Sequence, residues 1–108
     1  MSLFGLQGKL IAQPGRRDEL AAVLLEAAAA LESTPACLLY AVSVSEDDPD
    51  GVWVQEAWTD AAAHQASLET EATKQLIERG RPLIRGFAEQ RRFTTLGGKG
   101  LPREESGG

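Results

Sequence analysis

The side chains with the most chemical potential fall on one stretch, VWVQEAWTDAAAHQASLE, from Val52 to Glu69. A carboxylate (Glu56), an indole (Trp58) and the only imidazole of the chain (His64) follow the spacing E-x-W-x-x-x-x-x-H. On a strand, alternate residues leave the same face, so Val52, Val54, Glu56 and Trp58 point one way. Three of these four are apolar, which makes the face a buried one and gives Glu56 a need for a partner. On a helix, His64 shares a side with Ala61 and Leu68, and that side should point at the sheet. An imidazole with an ordinary pKa near 6.5 suits proton transfer at neutral pH, which makes His64 the best general base available. Trp58 is the right residue to wall a flat aromatic pocket, and equally a core residue closing a strand. His64 likewise has a purely structural alternative, a half-buried imidazole bonded to a carbonyl or carboxylate.

Other side chains add weaker possibilities. Glu56 can be met by Arg85, Arg91 or Arg92 as a cross-strand ion pair. The group RGRPLIR places Arg79, Arg81 and Arg85 where they could hold a phenolate, although cations also suit a solvated helix end. Tyr40 and Ser67 can each donate a hydrogen bond. Cys37 has no nearby helper and is a poor nucleophile candidate. One histidine and one cysteine cannot build a usual zinc or iron site. GGKG near Gly97 lacks the strand-turn-helix context of a phosphate loop, and no nucleophile elbow is present.

The elements that must position these residues follow from periodicity and punctuation. Phe4 to Gln13 reads as a strand. Pro14-Gly15 turns the chain, Asp18 and Glu19 favour a helix N-terminus, and Leu20, Leu24, Ala27 and Leu31 recur at helical spacing. Ser33-Thr34-Pro35 stops that helix. CLLYAVSVS, Cys37 to Ser45, is a second strand with Tyr40 and Val42 on one face. EDDPDG, Glu46 to Gly51, predicts an acidic hairpin loop, and Val52 to Trp58 the returning strand. Thr59 or Asp60 caps a helix that runs through Leu68, breaks near Glu69 to Glu71 and resumes to about Arg79. Gly80 and Pro82 end it. Leu83 to Thr95 holds a long last strand, and the glycine- and charge-rich segment 97–108 is expected to be mobile. The order β-α-β-β-α-β predicts an α+β, ferredoxin-like domain over residues 1–96, an antiparallel sheet with its helices on one face. The other face needs cover, which a second copy packed sheet to sheet would supply, with Trp53 in the contact.

The totals narrow the partners. The chain has 108 residues, enough for one domain, and a net charge of −5. That charge argues against nucleic acid and against anionic membrane surfaces. A single cysteine implies no intrachain disulfide. No signal peptide or membrane-length apolar run is visible, so a cytoplasmic location is the default.

GKLIAQPGRRDELAAVLLEAAAAL, CLLYAVSVS, WVQEAWTDAAAHQASLE and RGRPLIRGF, taken in order, resemble the antibiotic biosynthesis monooxygenase family over most of the chain. The PG-x-x-x-E-L entry to the first helix and the Glu56, Trp58, His64 spacing carry that resemblance locally. It implies a dimeric α+β barrel with one pocket per subunit between sheet and helices. It also implies chemistry with no metal or flavin cofactor, in which a quinol or anthrone is deprotonated and its anion reacts with O₂. On that reading His64 is catalytic, and Trp58, Gln7, Arg85 and Tyr40 bind a small aromatic substrate. The better-understood family enzymes use an asparagine from the first strand, and this chain contains none. Gln7 is the nearest substitute, with the same amide on a longer arm. The alternative is a non-catalytic dimeric barrel that binds a small apolar metabolite.

Overall fold

The structure, a computed structural model, describes residues 2–102; of the segment expected to be mobile, residues 103–108 lie outside the described residues. Three antiparallel pairings organise it. β1 (Leu3–Ala12) lies between β3 (Asp48–Trp58) and β4 (Ile84–Thr95), and β2 (Cys37–Ser45) borders the other side of β3. The sheet is open, with the order β2-β3-β1-β4. α1 (Arg17–Ala30) joins β1 to β2, and α2 (Ala61–Ser67) with α3 (Glu71–Gly80) joins β3 to β4. This is the ferredoxin-like α+β arrangement that the element order predicts, with the second helix broken in two where Glu69 to Glu71 suggested it.

Local chemistry sets the joints. Gly15, at φ 77°, supplies the left-handed turn between β1 and α1. α1 has no side-chain cap, but Asp18 and Glu19 occupy its first turn, and Glu19 accepts from Arg16 at 2.7 and 2.9 Å. The helix tightens into a 3₁₀ turn over Leu31–Ser33 before Thr34 becomes extended ahead of Pro35. Asp60 caps α2 by accepting from the Ala63 N–H at 2.7 Å, and Thr70 caps α3 by accepting from the Thr73 N–H at 3.2 Å.

The acidic loop is shorter than the turn residues suggest. Ser45 pairs with Asp48, leaving Glu46-Asp47 as the turn, and Pro49, Asp50 and Gly51 are already in β3. Gly51 is in register with Ile11, so pairing with β1 extends the strand through residues whose types favour a loop.

The core sits between the sheet and the helix layer. Ala12, Leu20, Val23, Val52 and Leu83 are its buried centre, with Leu76 of α3 and Val42 of β2 packed against it. Strand parity follows the sequence pattern: Val52, Val54 and Trp58 are buried, and Glu56 is the polar member of that face.

Candidate active site

The register brings the helix-facing side chains into rows across the sheet. Tyr40 of β2 pairs with Glu56 of β3, Glu56 with Leu6 of β1, and Leu6 with Arg92 of β4. The next row is Cys37, Trp58, Phe4 and Thr94. A bulge between Cys37 and Leu39 puts Cys37 into that row.

His64 is lowered onto these rows by α2. The Asp60 cap fixes where the helix starts, and Ser67 Oγ donates to the His64 carbonyl at 2.6 Å one turn later. The imidazole lies edge-on to Trp58, ring centroids 5.4 Å apart, and tilted against Phe4 at 5.6 Å. Its Nε2 is 3.9 Å from Glu56 Oε1. The same oxygen accepts the Trp58 Nε1–H at 3.0 Å. Both the His64 and Glu56 side chains are about 15% exposed, at 15% and 16%. Burial pushes the Glu56 carboxyl above its usual range, opposed by the Trp58 hydrogen bond and by the nearby imidazole. Burial, with the Glu56 charge behind it, likewise holds the Tyr40 phenol above its usual value, so Tyr40 is a donor rather than an anion. The Cys37 thiol is raised for the same two reasons, which disfavours the reactive thiolate.

Tyr40, Glu56, Trp58 and His64 line a cavity of about 1180 Å³ between the helices and the sheet, walled elsewhere by apolar side chains that include Leu24, Leu76 and Phe87. Such a volume holds a multi-ring aromatic. His64, Trp58 and Tyr40 are thus brought together. Arg85 also lines the cavity, but at its far end beyond Ile84, with its Nη2 4.0 Å from Asp50 Oδ2. Gln7 does not line this cavity, although it borders a smaller lobe beside Glu56. It stands opposite Gln55 on the face turned from the helices, and its Oε1 accepts from Gln55 Nε2 at 3.2 Å. Glu56 is met by Trp58 and His64 instead of by an arginine, because β1 separates β3 from β4. The sequence places Glu56 on the Trp58 face with an arginine partner; the face holds, and Trp58 and His64 take the partner's place. Among the described residues, no three metal-ligating side chains converge, and no helix is long and apolar enough to cross a membrane.

Fold and site together define a small ferredoxin-like α+β protein with an apolar cavity and a histidine–carboxylate pair at its wall. The chain belongs to the antibiotic biosynthesis monooxygenase family, which it matches over residues 4–79. A Chloroflexus aurantiacus structure assigned to antibiotic biosynthesis monooxygenase is 40% identical, superposes with a TM-score of 0.86, and covers 94% of this chain and 100% of its own. A Caulobacter crescentus structure with the same assignment has a TM-score of 0.81 at 22% identity, over 89% of this chain and 92% of that one. A Pseudomonas aeruginosa structure has a TM-score of 0.79 at 21% identity, over 90% and 97%. At such identities the last two speak for the fold alone. No curated protein matches the chain.

Proposed function

We propose that this protein is a cofactor-independent monooxygenase acting on an electron-rich aromatic phenol or hydroquinone, of quinol or anthrone type. The observation that carries this reading is the His64–Glu56 pair at the wall of an apolar cavity large enough for fused rings. His64 takes the phenolic proton, and Glu56 faces the imidazolium that forms. At 3.9 Å from Nε2, the Glu56 carboxylate would offset the positive charge that proton transfer places on the ring. The Tyr40 hydroxyl, in the same row as Glu56, supplies a hydrogen bond to the oxyanion. The apolar walls exclude water from the reduced oxygen species.

The electrons balance without an added reductant. The substrate anion passes one electron to O₂, the two radicals join in a carbon–oxygen bond, and the peroxide loses water. In an anthrone the ring CH₂ becomes C=O, and in a quinol a ring C–H becomes C–OH as the ring reaches the hydroxyquinone; in both, one oxygen atom enters the product and the other leaves as water.

The outer sheet face supports a dimer that would close the open sheet into a barrel. Leu39, Ala57, Gly5 and Phe93 form an apolar row across all four strands there, with Leu39 and Phe93 each 44% exposed. A second copy is the natural cover for such a row.

The test is oxygen uptake by metal-free protein given reduced naphthoquinols and anthrones, corrected for autoxidation. The expected result is uptake that falls by about 10²–10⁴-fold in His64→Ala, the usual worth of a general base. Uptake at background, or uptake that His64→Ala leaves intact, overturns the reading; binding without uptake points to the non-catalytic barrel.

A further inference from the structure

A smaller lobe of about 550 Å³ adjoins the cavity at the β4 side, and its lining includes Leu6, Gly8, Tyr40, Glu56, Gln90 and Arg92. Its two ends differ in charge. Glu56 stands at one, and Arg92 at the other, with only Leu6 between them in the row. Neighbouring strands are about 4.8 Å apart, so the two side chains spring from positions about 10 Å apart. That is the length of two fused rings with one substituent. The Arg92 guanidinium is held over the Phe4 ring, 5.3 Å from its centroid, and the same ring touches His64. Among the described residues no carboxylate pairs with Arg92, whereas Arg85 has Asp50 and Arg79 has Glu26. Beside Arg92, the Gln90 side chain lies over Gly8, its Nε2 3.5 Å from where a Cβ would stand. A guanidinium and an amide therefore meet at the β4 end of the lobe, which Arg91 also borders, in a protein of net charge −5.

We infer that the ligand is an aromatic acid, oriented with its carboxylate on Arg92 and Gln90 and its reacting ring over Leu6 toward His64. The reverse orientation would set a carboxylate against Glu56, so the two ends act together as a filter for direction. The aromatic body of the ligand rests on the reading given under Proposed function; the recognition of its charge is measured without turnover.

The experiment is calorimetric titration of the full-length protein at pH 7.5 and low salt with 2-naphthoate and with its neutral counterpart 2-naphthamide, neither of which the proposed reaction oxidises. Wild type is expected to bind the naphthoate about tenfold more tightly, the scale of one charge-assisted hydrogen-bonded contact. In Arg92→Gln the two ligands should bind within about threefold of each other, with naphthamide affinity unchanged; Arg92 is exposed, so its replacement leaves the core intact. Equal binding in wild type, a preference that survives Arg92→Gln, a parallel loss of naphthamide binding, or no binding of either ligand overturns the inference. A preserved preference in a protein that takes up no oxygen leaves this inference standing while the oxygenase reading fails.

Discussion

His64 Nε2 stands 3.9 Å from Glu56 Oε1, beyond hydrogen-bond length, while that oxygen is held by the Trp58 indole at 3.0 Å. The carboxylate is fixed by a neutral donor and left beside the imidazole as a charge. Desolvation dominates at Glu56 and raises its carboxyl. A folded-state value above the unfolded one means that its contribution to stability is fully present below the unfolded pKa and is lost as pH rises through the folded pKa. At neutral pH the ionised Glu56 is therefore a cost to folding.

Glu56→Gln is accordingly expected to raise stability at pH 7.5, by about 0.5–2 kcal/mol, the range usual when a functional residue is relieved, with little gain near pH 4. The same change removes the charge facing the imidazolium. Losing a charged partner worth about 1.5–3 kcal/mol lowers kcat/KM by roughly tenfold to a hundredfold. Thermal melts across pH, alongside oxygen uptake, check both halves. A Tm that falls at pH 7.5 would assign Glu56 a structural rather than a functional place.

Trp58→Phe keeps most of the ring and removes the donor to Glu56. A buried acceptor left unsatisfied costs about 1–3 kcal/mol. The loss should be larger at pH 8 than at pH 4, since the indole hydrogen bond is one of the influences holding the Glu56 carboxyl down. Adding Glu56→Gln should recover part of it, and a double-mutant cycle reads the coupling. Additivity of the two changes contradicts the pairing.

The fold was legible because its signals are local. Cys37 to Ser45 alternates between turn residues and is a strand with those same ends, and the break at Glu69 to Glu71 coincides with the Thr70 cap. What was not legible depends on pairing between distant segments. Pro49-Asp50-Gly51 has loop chemistry, yet Gly51 is drawn into β3 by its register with Ile11. The three arginines of the last strand looked available to Glu56, but β1 lies between them, and Leu6 occupies the intervening position. Gln7 was read as a site residue by its amide chemistry; its amide oxygen is taken by Gln55 on the opposite face, while the residue borders the smaller lobe beside Glu56. The Glu56, Trp58 and His64 cluster was within reach of sequence reasoning, because strand parity and one helical turn are short-range facts.

Dimerisation gives a third prediction. Trp53 lies on the outer face with Lys9 Nζ 5.6 Å from its ring centroid, one row beyond the Gln7–Gln55 pair. Sedimentation at micromolar concentration should give a species of twice the 11.6 kDa chain mass. Trp53→Glu should shift it to the single chain, since a carboxylate forced into a sheet-to-sheet contact loses its hydration without a partner. A single chain in the wild type would remove the barrel.

The last prediction concerns the joint that sets His64. α2 is only seven residues long, too short to be helical on its own strength. Its start depends on Asp60, whose Oδ1 accepts from the Ala63 N–H at 2.7 Å, and its end on Ser67 bonding back to the His64 carbonyl. Asp60→Ala should cost about 1 kcal/mol of stability, the usual worth of a cap. A cap with no bearing on the site would leave kcat unchanged in the folded fraction. Here the frayed turn carries the base, so kcat should fall by about tenfold at temperatures well below the melt, where the protein is folded. Asp60→Ser or Asp60→Asn, which restore a capping oxygen, should recover both stability and rate. Recovery of stability alone would mean that the charge of Asp60, rather than its cap, bears on the reaction.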